Sequence, residues 1–153
     1  RDTGCVVANC HKLPADRFEV TDLSTDTIAD DLSATLRLLK TAAPQMEVIM
    51  TVSPIRHKAY GLHADKLSKA RLLLAADTIC SRGEAVYFPS YEIMTDELRD
   101  YRFYAADMVH PSETAAEHIF GRFAETFFTP ATINDAAHSR KESRRLRHRE
   151  TSG

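Results

Sequence analysis

The stretch "YAADMVHPSETAAEHIF" places an aspartate, Asp107, three residues before a histidine, His110, with Pro111 next and a helical pattern after it. A histidine that moves a proton needs one ring nitrogen toward the reacting group. The other nitrogen should donate to a carboxylate, which fixes the tautomer and stabilises the imidazolium. An Asp-x-x-His on a loop entering a helix can bring the two side chains together in this way. The same spacing also occurs at ordinary helix starts, where such a pair only caps the helix or sits in solvent. Which reading applies depends on where the loop lies in the fold.

Other residues with chemical potential lie elsewhere in the chain. Asn9 ends an apolar run. Its amide is either a turn former bonded to its own backbone or a donor aimed at a developing oxyanion. Arg56 and His57 are candidates to bind the substrate, Arg56 through an anionic group. Arg99 and Arg102 in "ELRDYRFY" admit that role too, or else belong to a salt-bridged segment that packs Phe103 and Tyr104. Cys10, His11, His57, His63 and His110 are metal-ligand types, but none falls at a recognised ligand spacing. No cofactor motif is visible, so no cofactor is expected.

The elements that must position these residues follow from periodicity. "GCVVANC" reads as a buried strand over residues 4–9. In "LSTDTIADDLSATLRLLKTAA", Ile28, Leu32, Leu36 and Leu39 share one helical face, with Ser24 or Thr25 as cap and Asp26 suiting the positive end. "EVIMTV", residues 47–52, is β-branched and apolar, as in a strand covered on both faces. "DKLSKARLLLAADTICSRG" predicts a second helix with Leu67, Ala70, Leu74 and Cys80 inward, closing at Gly83. "AVYFPS" predicts a third strand, and "TDELRDY" a helical turn. The last helix starts near Pro111–Ser112 and would bury Ala116, Ile119 or Phe120, Phe123 and Phe127. The order is βαβαβα, which predicts an α/β fold with a parallel sheet. In such sheets ligands sit beyond the carboxyl ends of the strands. Asn9, His11, Arg56, His57, His63, Ser90, Asp107 and His110 all fall on loops at that predicted edge.

The chain of 153 residues suits one domain, with 43% hydrophobic residues, enough for a core without staples. Residues 1–128 are read as that domain, and residues 129–153 as a basic tail, disordered or a frayed helix. Residues 140–153 carry six basic and two acidic groups, net +4, against a net −6 for the remainder. A mildly acidic body with a short basic tail is not expected to bind nucleic acid. No apolar run is long enough for a membrane span, so no membrane contact is expected. Three cysteines without CxxC spacing, Cys5, Cys10 and Cys80, read as free thiols in a reducing compartment, and the expected location is cytoplasmic.

The segments "VANCHKLPADRF", "TVSPIRH", "LSKARLLLA", "YFPSYEIMTDELRDYRFYAADMVHPS" and "IFGRF" closely resemble the GSCFA domain family, a branch of the SGNH (GDSL-like) hydrolase superfamily. The resemblance runs from about Val6 to Phe123. It implies a three-layer α/β/α, flavodoxin-like fold of strand order 2-1-3-4-5, with the strands seen here as the third, fourth and fifth. It implies a serine hydrolase site in which His110 is the triad base, Asp107 the triad acid and Asn9 the oxyanion donor. "ANCH" departs from the superfamily's Gly-x-Asn-Asp at that point. The name-giving segment with the nucleophilic serine has no counterpart here, so the chain resembles the C-terminal part of the domain, expected to be inactive alone. Ser53 and Ser90 lack a nucleophile-elbow context. The implied activity is that of an esterase or acyl-group transferase on a small-molecule or carbohydrate-linked acyl ester. The alternatives are a non-catalytic binding or interaction domain and, third, a metal-dependent hydrolase. An unpaired apolar strand over residues 4–9 would also drive self-association.

Overall fold

A computed structural model describes residues 1–7, 12–136 and 138–139. Asn9, Cys10, His11 and the basic run 140–153 lie outside the described residues.

Helix α1 spans Thr25–Ala42, and Ser24 caps it: its hydroxyl accepts the Thr27 N–H at 3.1 Å. The buried line is Ala29, Ser33 and Leu36. The expected face was therefore off by about one residue. Leu36 is inward, Ile28 and Leu32 sit at the margin, and Leu39 is 46% exposed. The reason is the neighbour. Helix α2, Leu62–Ser81, brings Ala75 and Ile79 into one cluster with Ala29 and Leu36. Small side chains at the crossing let two helices approach closely, and larger ones are displaced to the flanks. The buried Ser33 hydroxyl accepts from Arg82 at 3.3 Å, so its polar atom is satisfied.

Helix α2 begins at Gly61 (φ 85°), earlier than expected, and closes as expected at Gly83 (φ 72°). Its phase differs from the sequence reading. Leu67, Ala70 and Leu74 are exposed, Cys80 is half-buried, and Asp65, Ala75, Ala76 and Ile79 are buried. Leucines and alanines fall on every side of this helix. Hydrophobicity alone therefore cannot choose its inner face, and packing against α1 does.

Strands β1 (Ile49–Met50) and β2 (Val86–Tyr87) pair in parallel, with Ile49 opposite Val86 and Met50 opposite Tyr87. Backbone bonds from Val86 to Val48 and from Phe88 to Met50 extend the ladder by a residue at each end. Both strands lie inside their expected segments but are shorter. Past Met50 the ladder gives way to a side-chain bond, Ser90 Oγ donating to the Val52 carbonyl at 2.9 Å. Side chains alternate along β1 as a strand requires. Val48 and Met50 pack on the α1–α2 cluster, while Ile49 and Thr51 line a groove under the last helix.

The strand expected over residues 4–9 is not formed in its described part. Residues 4–7 carry no strand, Val6 is fully exposed and Val7 half so. A strand needs a ladder partner, and among the described residues this segment's bonds are local, such as Cys5 N–H to Thr3 Oγ1. The amino-terminal end is tied instead to the single helical turn Ala15–Arg17, through the Arg17–Asp2 ion pair at 2.7 Å. The described helices and strands thus run αβαβαα around one parallel pair, a mixed α/β arrangement.

After β2, helix α3 (Ser90–Glu92) continues as a wider π-type turn, Ile93–Leu98, which ends at the left-handed Arg99 (φ 51°). Helix α4, Glu113–Phe127, is capped by Ser112, whose hydroxyl accepts the Ala115 N–H. Its buried contact is Ala115; Ile119, Phe123 and Phe127 are half-buried. Ala116 and Phe120, expected inward, are exposed and face the groove. Phe123 packs edge-on against Phe88 with centroids 5.1 Å apart. Beyond α4, residues 130–136 are helical.

Candidate active site

The loop between Tyr104 and Pro111 is closed at its base. Tyr104 and Pro111 form an antiparallel bridge, Ala105 N–H donates to the His110 carbonyl at 2.8 Å, and Ser112 N–H donates to Phe103 at 2.7 Å. At its tip Met108 takes a left-handed conformation (φ 59°). This brings Asp107 and His110 together. Asp107 Oδ1 accepts the N–H groups of Val109 (2.8 Å) and His110 (3.0 Å), and Oδ2 lies 2.6 Å from His110 Nδ1.

The His110 hydrogen bond and the two backbone donors hold the Asp107 carboxyl well below the usual carboxylate range. An ionised carboxylate only accepts, so Nδ1 must carry a proton. The neutral ring then keeps its basic lone pair on Nε2, the arrangement a general base needs. Both side chains are about half exposed, so the pair is open to a reactant.

A second segment grips this loop from outside. Leaving β1, the chain passes through Ser53–His57 into a short turn, Lys58–Tyr60. Arg56 N–H donates to the Val109 carbonyl at 3.1 Å, and Lys58 Nζ donates to the Asp107 carbonyl at 2.8 Å. The Arg56 guanidinium sits 3.8 Å over the Tyr104 ring. The segment is itself anchored on α2: buried Asp65 accepts the His57 N–H at 2.8 Å, and Lys69 Nζ donates to the Ser53 carbonyl at 2.6 Å. Burial lowers the Lys69 ammonium pKa, with nearby Asp65 acting against that shift.

The expected residues fare differently. Asp107 and His110 meet, and Arg56 joins their loop through its backbone. The His57 and His63 side chains are exposed on the neighbouring segment and on the first turn of α2. Asn9 lies outside the described residues. Arg102 pairs with Asp100 at 3.1 Å in solvent, as the salt-bridged reading of "ELRDYRFY" requires. Among the described residues no three His, Cys, Asp or Glu side chains gather to hold a metal ion. Cys5 and Cys80 are free thiols; burial pushes the Cys80 pKa up. No described helix is long and apolar enough to cross a membrane. The exposed Ser53 hydroxyl accepts the Ile55 N–H at 3.3 Å, and Ser90 bonds Thr51 and Val52. Lys58, Asp65 and Lys69 were not anticipated. Their only sequence signal was polar residues clustered after a strand and at a helix start.

A groove of about 540 Å³ runs from Ile49 and Phe120 past Ser53 to Pro111, the residue after His110, and its walls are largely apolar. The GSCFA family model matches residues 1–123. No curated protein and no solved structure matches the chain.

Proposed function

The chain belongs to the GSCFA family, and we propose that it supplies the acid–base half of an SGNH-type serine hydrolase site, an esterase or acyl-group transferase. The observation that carries this reading is the 2.6 Å contact of His110 Nδ1 with an Asp107 carboxylate fixed by two further donors. The parallel β1–β2 pair is compatible with the fourth and fifth strands of a flavodoxin-like sheet.

In this reading a serine hydroxyl attacks an acyl carbonyl. Its oxygen bonds to the carbon as its proton passes to His110 Nε2, and the carbonyl electrons move onto the oxygen. Collapse expels the leaving alcohol, which takes the proton back from Nε2. Asp107 holds the ring and stabilises the cation formed. Asn9 donates to the oxyanion, and Arg56 and His57 meet the polar part of the substrate. Ser53, Ser90 and Ser112 have structural partners, so the nucleophile in this mechanism is a different serine.

The test is hydrolysis of a short-chain p-nitrophenyl ester by the full native protein and by its His110→Ala variant. The variant should lose roughly 10²–10⁴-fold in kcat. Equal rates would sink the assignment.

A further inference from the structure

We propose that Lys58 is a positioning residue for the Asp107–His110 pair: its ammonium on the Asp107 carbonyl holds the loop in the one geometry that keeps the His110 proton on Nδ1. This rests on reading Asp107 and His110 as an acid–base pair.

The loop's own bonds, among them Met108 N–H to the Ala105 carbonyl at 2.9 Å, are reinforced from outside. Met108, between the two residues, sits at φ 59°, a conformation that residues with a Cβ rarely adopt. Such a residue persists where its surroundings over-determine it. Here two carbonyls flank it, those of Asp107 and Val109, and both are held by the same segment. Lys58 Nζ takes the first at 2.8 Å and Arg56 N–H takes the second at 3.1 Å. The peptide joining Asp107 to Met108 is held on both sides, its N–H by the Ala105 carbonyl at 2.9 Å and its carbonyl by Lys58, so its rotation breaks the lysine contact as well. That rotation would swing the Asp107 carboxylate away from the imidazole.

The gripping segment is stiff enough to matter. His57, between Arg56 and Lys58, donates its N–H to Asp65, a buried carboxylate in the first turn of α2. The Arg56 guanidinium lies over the Tyr104 ring, at the base of the same loop. Lys58 thus joins a fixed segment to an exposed loop, across 49 residues of sequence. It touches neither ring nor carboxylate, so it acts through Asp107 and not on a reactant.

Ring ¹⁵N chemical shifts of His110 in the full native protein, at a pH where the imidazole is neutral, read the proton's position directly. Free histidine favours the Nε2–H tautomer, and Asp107 should invert that preference. In Lys58→Met the Nδ1–H population should fall at least about twofold, while Lys58→Arg, which keeps a cationic donor, should stay near wild type. Asp107→Ala is the reference and should return the ring to the free preference. If Lys58→Met keeps the wild-type ratio while Asp107→Ala loses it, the role given to Lys58 is wrong and the pair stands. If Asp107→Ala also leaves the ratio unchanged, the pair itself is absent, and Lys58 has nothing to position. Lys58 is exposed, so its replacement leaves the core intact.

Discussion

Two histidine–carboxylate pairs among the described residues are of nearly equal length, and they are built differently. His110 meets Asp107 at 2.6 Å, and His118 meets Glu97 at 2.9 Å. Asp107 is bonded by its own loop at both carboxylate oxygens, and the histidine uses Nδ1. Glu97 reaches across from the π-type turn to α4, bonds Nε2 of its histidine, and also faces Arg122 at 4.0 Å. The first arrangement leaves the outer nitrogen, Nε2, for a reactant. The second spends that nitrogen on tying two elements together. A short contact between these residue types is thus not enough to mark a catalytic pair; the nitrogen used and the fixing of the acid decide.

The largest expected difference between the pairs is in turnover. With the p-nitrophenyl ester assay on the full native protein, His118→Ala should keep kcat within about threefold of wild type, where loss of a general base costs roughly 10²–10⁴-fold. The ratio of His110→Ala to His118→Ala rates removes any general effect of losing an exposed imidazole. Similar losses in both would break the distinction drawn between them.

What was legible beforehand divides along the same line. The spacing Asp107-x-x-His110 displayed the first pair because both partners lie within one short loop. The starts of α1 at Ser24 or Thr25 and of α4 near Ser112 and the stop at Gly83 were legible for the same reason: each follows a local rule of backbone hydrogen bonding. The inner face of α2 was not, because its leucines point in every direction and only contact with Ala29 and Leu36 of α1 selects Ala75 and Ile79. The grip of Lys58 on Asp107 was hidden too, since it joins segments 49 residues apart. The strand expected at residues 4–9 shows the converse. An apolar, β-branched run is suited to a ladder, but residues 4–7 form no strand and are exposed.

A smaller effect separates the pairs in acid. The His110 hydrogen bond and two backbone donors lower the Asp107 pKa in the folded chain below its unfolded value. The stabilisation from this group is therefore complete above the unfolded pKa, about 3.9, and is lost as pH falls through the lower folded value. Carboxyl ¹³C shifts should show Asp107 still ionised where an ordinary aspartate is half protonated. The stability gap between wild type and Asp107→Asn, read from urea midpoints, should narrow only below about pH 4. Titration of Asp107 at the ordinary aspartate value would remove the fixed acid from the first pair.

The smallest expected effect concerns the tie between Glu97 and His118. Both side chains are about two-fifths exposed, and Arg122, more open still, shares the glutamate. Exposed pairs of this kind contribute about 0–1 kcal/mol, because water screens the attraction and ordering the side chains offsets it. Glu97→Gln keeps the length and an acceptor oxygen while removing the charge. It should lower the unfolding free energy by no more than about 1 kcal/mol, and less as salt is added. It should also leave the His110 tautomer untouched, since the carboxylate that holds His110 is supplied by its own loop. A loss well beyond that, or a shift at His110, would mean that the π-type turn and α4 are coupled to the site. The two pairs would then form one network in which the fixing of Asp107 depends on Glu97.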